Sequence, residues 1–381
     1  MKILHCMLSC FYIDGCNYQE NALPRQNKLD GHEVKIIAST ETLNSDNNCN
    51  FLKSMKYFNE DQIEVNRIEY KFFIPGLLKN KLRVYQQFDF LIEEFDPDVI
   101  MFHGLGGLGL GTVVKYVKKH PNVKLFVDSH EDFNNSGKSF ISRQLLHKKF
   151  NRRIVQSALP YINKIFCVAY ECFGFLEKMY KVPKNMMELY PLGGNIFDEA
   201  VRQEKRMRRR RELGLKDEDI LLVHSGKMDK YKRTVDIIKA LKRVNSNNIQ
   251  LVIIGALSND VKESITELIQ KDDRVRFLGW KNSDDLLEYL CASDLYIQPG
   301  GQSATMQNAA CCGSALALYP YTSHIKLMGN TVFYIESSKD IEKLLKDILK
   351  NPEHLEKKRI VSYGLAKKKL DYCKLAKRLY E

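Results

Sequence analysis

At 381 residues the chain is long enough for two ordinary domains, and a hydrophobic content of 44% gives each a core of its own. The net charge of +12 asks for acidic partners or solvent, but no nucleic-acid module is recognisable and the aromatics fall in apolar strand or helix patterns, so nucleic acid is set aside as a partner. No run approaches the roughly 18 apolar residues of a membrane helix, and the ten cysteines lack zinc-like pairing, which fits reduced thiols in a cytoplasmic protein.

The opening MKILHCMLSCF is apolar enough to suggest a signal peptide, but His5 and Ser9 interrupt it and no small-residue cleavage site follows. It reads as the first buried strand. A helix is expected over 18–30, stopped by Gly31, and then VKIIAS from Val34, which together make a β-α-β start. After an FFIPG turn, a helix over 82–95, DVIMFH from Asp98, LFVD from Leu125 and KIFCVA from Lys164 continue the alternation and predict a parallel sheet. The segment GLGGLGLG, from Gly104 to Gly111, is superficially like a dinucleotide fingerprint. It comes about fourth in strand order and lacks the acidic residue such sites need, so it is expected to form a mobile wall of a cleft.

Composition changes around LYPLGGN, and VRQEKRMRRRREL from Val201 to Leu213 then carries seven Arg or Lys against two Glu. Arg208, Arg209, Arg210 and Arg211 make a candidate contact for the anionic inner face of a membrane; the alternative is a solvated linker helix. ILLVHSG opens a second alternating series through LVIIGA, VRFLGW, LYIQPG and ALALY, and the tail from Lys343 reads as three helical segments punctuated by Pro352 and Gly364. The expected organisation is an α/β protein with Rossmann-like domains at 1–192 and 193–362 and a terminal helix at 363–381 packing back on the first. Ligands of such sheets bind off the carboxyl strand ends, which implies a cleft between the domains.

The second series centres on LYIQ, PGGQS and ATMQNAACC. Gly300 and Gly301 allow positive φ and close approach of a bulky group, and Ser303 is a candidate N-cap for the helix that follows. The free amides of that helix start would suit a phosphate; the plainer alternative is a sheet-to-helix turn.

Four stretches in order, MKILH with YQENALPRQNKLDGHEVKIIAS, VHSGKMDKYKRT, RVRFLGWKNSDDLLEYLCASDLYIQP and NAACCGSALAL, resemble those of GT-B glycosyltransferases, most closely the retaining family 4 type, over nearly the whole chain. The resemblance implies two Rossmann-like domains facing a cleft and transfer of a sugar from a nucleotide diphosphate sugar, a UDP-sugar being expected, to a cell-surface glycan or lipid-linked acceptor. It implies no cofactor and no metal. Gly226, Lys227 and Lys232 fall in the family's phosphate loop, with Lys227 where arginine is usual. His130 matches the active-site histidine near the anomeric centre, Trp280 falls where the base is held, and Gly15 lets backbone approach the diphosphate. Gly301, Gln302, Ser303 and Ala304 belong to the donor loop. Gly300 and Asn308 replace two glutamates that the family spaces eight positions apart; the first loss removes a contact to the donor sugar, whereas Asn308 keeps hydrogen-bonding capacity for ribose hydroxyls. The intact lysines and His130 favour a working enzyme. Gly300 favours a second reading, a catalytically idle GT-B partner that positions an active transferase.

Overall fold

The computed structural model describes residues 1–16, 18–43, 49–72 and 75–381, and divides into two units, Met1–Pro191 with Cys373–Glu381 and Leu192–Tyr372. Residues 73–74 of the expected FFIPG turn lie outside the described residues.

In the first unit, apolar runs buried on both faces become parallel strands: Lys2–Met7 lies between Glu33–Ser39 and Val99–His103. On the Val99–His103 side the sheet continues through Lys124–Ser129, Lys164–Cys167 and Met187–Leu189; on the other it ends with Glu64–Ile68 and the antiparallel Met55–Phe58. Strand order therefore reverses beside the first strand. The second unit is a six-stranded parallel sheet, in spatial order Val275–Phe277, Ile249–Leu257, Ile220–Met228, Leu295–Gln298, Ala315–Leu318 and Phe333–Tyr334. This is the doubly wound order, and its reversal falls between Ile220–Met228 and Leu295–Gln298. Each unit encloses its own aliphatic core.

Several expectations change. The helix expected over 82–95 is two helices, Gly76–Leu82 and Phe88–Phe95, because the intervening chain pairs elsewhere: Lys71 N–H donates to Val84 O and Gln86 N–H to Glu69 O, with Arg83 and Gln87 at φ 51° and 56°. Gly364 interrupts nothing; Pro352–Lys369 is one helix. The second unit accordingly reaches Tyr372, with Gly194 N–H donating to Leu370 O at 2.8 Å, while the last residues belong to the first unit through Tyr190 Oη on Leu375 O and Tyr380 on Asp30.

The basic run is neither a solvated linker nor one cationic face. It forms the helix Glu199–Glu212, in which Arg210 is buried and donates to Asp294 Oδ2 and the Lys216 and Asp219 carbonyls. Arg206 takes the other Asp294 oxygen, and Lys205, Arg208 and Arg209 converge on Glu288. Charges so paired join two helices, since removing one partner of a buried pair strands the other. Arg209 and Arg210 are thus unavailable to a lipid surface.

Candidate functional site

In the second unit the site is built at the strand-order reversal. Near the end of Ile220–Met228 stands Gly226 (φ 125°), and Gly255 (φ 139°) on the neighbouring strand lies so close that a Cβ there would stand 1.8 Å from Gly226 O. The chain then turns through Asp229, whose carboxylate accepts from the Tyr231 and Lys232 amides at 2.9 and 3.0 Å. That turn sends the Lys232 side chain back along the strand end. A Cβ on Gly226 would be 3.4 Å from Lys232 Nζ and one on Gly301 3.9 Å, so the ammonium lies between the two glycine loops. It has no hydrogen-bonded or ion-paired partner among the described residues. Burial lowers its pKa, with Asp229 partly opposing. An enclosed cation without an ion-paired carboxylate is a place for an anion. Lys227, by contrast, is exposed at the strand end.

The loop 300–304 is fixed from beneath by residues that the sequence did not single out. Gln298 Nε2 donates to Gly301 O, and beneath it, both buried, Tyr296 Oη donates to Gln298 Oε1 at 3.2 Å and Ser225 Oγ lies 3.3 Å from Tyr296 Oη. The signal available was LYIQ, where a Gln ends an otherwise apolar strand. Gly301 takes φ 64°, and the following helix is Thr305–Cys311 with Ala304, not Ser303, at its N-cap; the Ser303 hydroxyl accepts the Thr305 N–H one position in. Gln302 and Ala304 are exposed. Asn308 turns Oδ1 inward against Gly194, buried and without a hydrogen-bond partner among the described residues, so that oxygen is not offered to a ribose. Trp280 is 71% exposed beyond Gly279 and belongs to no core.

The glycine at 300 has a steric cause. A Cβ there would meet Tyr231 O at 2.2 Å and Arg233 Cδ at 3.0 Å, and Arg233 itself is pinned to the Pro299 and Glu336 carbonyls. The lysine turn therefore occupies the space that a larger residue would need. Gly300→Glu is expected to lower stability by about 1–3 kcal/mol, as overpacking does, without raising activity. Urea melts and a turnover assay check this; a stable, faster variant would mean that the turn yields.

In the first unit His130 follows Lys124–Ser129 in VDSHED, where alternation puts Asp128 and His130 on one face. Asp128 is buried and accepts from His103 Nδ1 at 2.6 Å, the Gly104 amide at 2.8 Å and Gln19 Nε2 at 3.3 Å. Behind it His103 Nε2 meets His5 Nδ1 at 3.1 Å, and His5 Nε2 reaches Asn27 Oδ1. Although burial opposes its charge, His103 and His130 hold the Asp128 carboxyl well below the usual carboxylate range. His130 Nε2 stands 3.8 Å from Asp128 Oδ2 and 3.9 Å from Glu20 Oε1, beyond hydrogen bonding but within ion-pair reach. Burial would discharge its ring; Asp128, Glu20 and Glu131 outweigh that and raise its pKa to about 9. Glu131 accepts from Tyr180 Oη at 2.8 Å, and burial raises its carboxyl to about 7.

His130, Glu131 and Gly104–Gly107 line one cavity of about 520 Å³. Gly104 (φ 90°) packs so closely that a Cβ would stand 2.7 Å from Ser9 Cβ, across the strand-order reversal. Gly15 is placed otherwise: it is exposed and its amide donates to Glu60 Oε1 at 3.1 Å.

Two doubly wound parallel-sheet units, each with its polar groups at the order reversal, define a protein of the GT-B fold. Residues 205–364 match the model of the family described as glycosyl transferases group 1. No curated protein sequence matches the chain. Among solved structures it is similar to Anabaena HepE in complex with UDP (TM-score 0.68, 13% identity, 99% of this chain and 98% of that one). It is similar also to sucrose-phosphate synthase from Thermosynechococcus elongatus (0.67, 13%, 99% and 97%) and to WaaG, a glycosyltransferase involved in lipopolysaccharide biosynthesis (0.62, 14%, 99% and 99%).

Proposed function

We propose that this protein is a glycosyltransferase that moves a sugar from a nucleotide diphosphate sugar, a UDP-sugar, to a cell-surface glycan or lipid-linked acceptor, with retention of configuration and without a metal. The observation that carries the reading is Lys232: an enclosed ammonium between two glycine loops, with no ion-paired carboxylate among the described residues. A departing nucleotide diphosphate gains negative charge, and a preorganised cation stabilises it most where water is scarce. Gly226 and Gly301 let the phosphate oxygens come close, exposed Lys227 adds a second cation, and Trp280 offers a face for the base. Gln302, Ser303 and Ala304 remain to contact the sugar. From the first unit, cationic His130 acts on the sugar near its anomeric carbon. The complexes of HepE with UDP and with UDP-glucose support the choice of nucleotide.

Incubation of the full chain with UDP-, GDP- and ADP-sugars, with glycan and lipid-linked acceptors, is expected to release UDP alone, and EDTA should leave the rate unchanged. Release of GDP or ADP would reassign the base, and loss of activity in EDTA restored by a divalent cation would overturn the metal-free reading. No release from any donor by well-folded protein would favour the idle partner.

A further inference from the structure

From Asn134 to Arg153 the chain carries Lys138, Arg143, Lys148, Lys149, Arg152 and Arg153 and not one Asp or Glu. The same stretch holds three large apolar side chains facing water: Phe140 is 78% exposed, Ile141 69% and Leu145 52%. Its helix, Ser142–Asn151 continuing into Arg152–Ala158, turns His147, Asn151 and Val155 inward, while Ile141, Leu145, Lys149 and Arg153, every fourth residue, form an outward row. Arg143 and Arg152 are committed to the Gly137 and Met179 carbonyls. Lys138, Lys148, Lys149 and Arg153 have no carboxylate partner among the described residues, unlike the arginines of Glu199–Glu212.

We infer that residues 138–153 form a docking surface for an anionic lipid bilayer, with Phe140, Ile141 and Leu145 inserted among the acyl chains and Lys149 and Arg153 at the phosphates. An apolar tip ringed by unpaired cations matches the layering of such an interface, whereas contiguous apolar side chains are costly in water. A second copy of this chain is a poor occupant, because two such surfaces would set like charges against each other. Lys138 and Ser142 also line the cavity that holds His130, so a chain seated here receives its acceptor from the membrane. That last step rests on the transferase reading; attachment itself needs neither donor nor acceptor.

Sedimentation of the full chain with phosphatidylcholine vesicles, with and without phosphatidylglycerol, tests the surface. Binding is expected only with the anionic lipid and is expected to weaken with salt. Phe140→Ser with Ile141→Ser and Leu145→Ser should reduce partitioning by at least about tenfold, and Lys149→Ala or Arg153→Ala by about fivefold each. Arg208→Ala should not matter. Circular dichroism of these surface variants should match the parent. Equal binding to both vesicle types, or unchanged binding by the triple variant, overturns the inference, as does a dimer in sedimentation velocity that the triple variant abolishes. If vesicles bind as expected but no sugar nucleotide is turned over, the surface stands and the transferase reading fails.

Discussion

Lys232→Ala is expected to lower turnover by about two to three orders of magnitude, the loss found when one preorganised charge-stabilising group is removed. At about 1.4 kcal/mol per decade this is roughly 3–4 kcal/mol of transition-state stabilisation. The effect should fall on kcat more than on stability, because the ammonium has no hydrogen-bonded or ion-paired partner to strand. Lys232→Arg should not restore the rate: a planar guanidinium is wider than an ammonium, and the space between Gly226 and Gly301 is set by backbone. Steady-state release of UDP and a thermal melt of each variant decide the matter. Normal turnover in Lys232→Ala would move the diphosphate away from this loop.

His130→Ala is expected to cost about two to three orders of magnitude in kcat as well, if the cation it removes acts on the sugar as proposed above. Here pH gives a second readout. The His130 pKa is raised, so its contribution to stability is complete below the unfolded value of about 6.5 and is lost as pH rises through about 9. Wild-type kcat should fall as pH rises through about 9, and the residual activity of His130→Ala should not. A flat profile through pH 9, with the variant still impaired, would assign His130 a packing role. Asp128→Asn offers a control, since it removes the main counter-charge and should move the fall to lower pH.

What the sequence disclosed was governed by how local the physics is. Apolar runs such as VKIIAS and LVIIGA can only be buried strands in a chain of this kind, and the strand-helix rhythm leads to doubly wound sheets. The arginine run misled because its partners, Glu288 and Asp294, lie some eighty residues on, and nothing in VRQEKRMRRRREL announces them. The split of the helix expected over 82–95 has the same origin, a pairing with residues 69–71 that local propensity cannot see. His130 and the lysine loop were singled out by their resemblance to family motifs. That Lys232 rather than Lys227 occupies the enclosed position depends on the Asp229 turn, and that Gly300 must be glycine depends on the Tyr231 carbonyl above it. His5 and His103 were hidden inside apolar strands.

The glycines at 226, 255 and 300 bear on how such a site could diverge. With backbone against backbone at 255 and 300, no side chain can be added there without moving main chain, and at 226 the φ of 125° disfavours one, so these positions form a fixed frame for any redesign of donor preference. Gln302, Ala304 and Trp280 are exposed on that frame. A combinatorial library that randomises these three and holds the glycines constant would sample new sugars and bases while keeping every member folded.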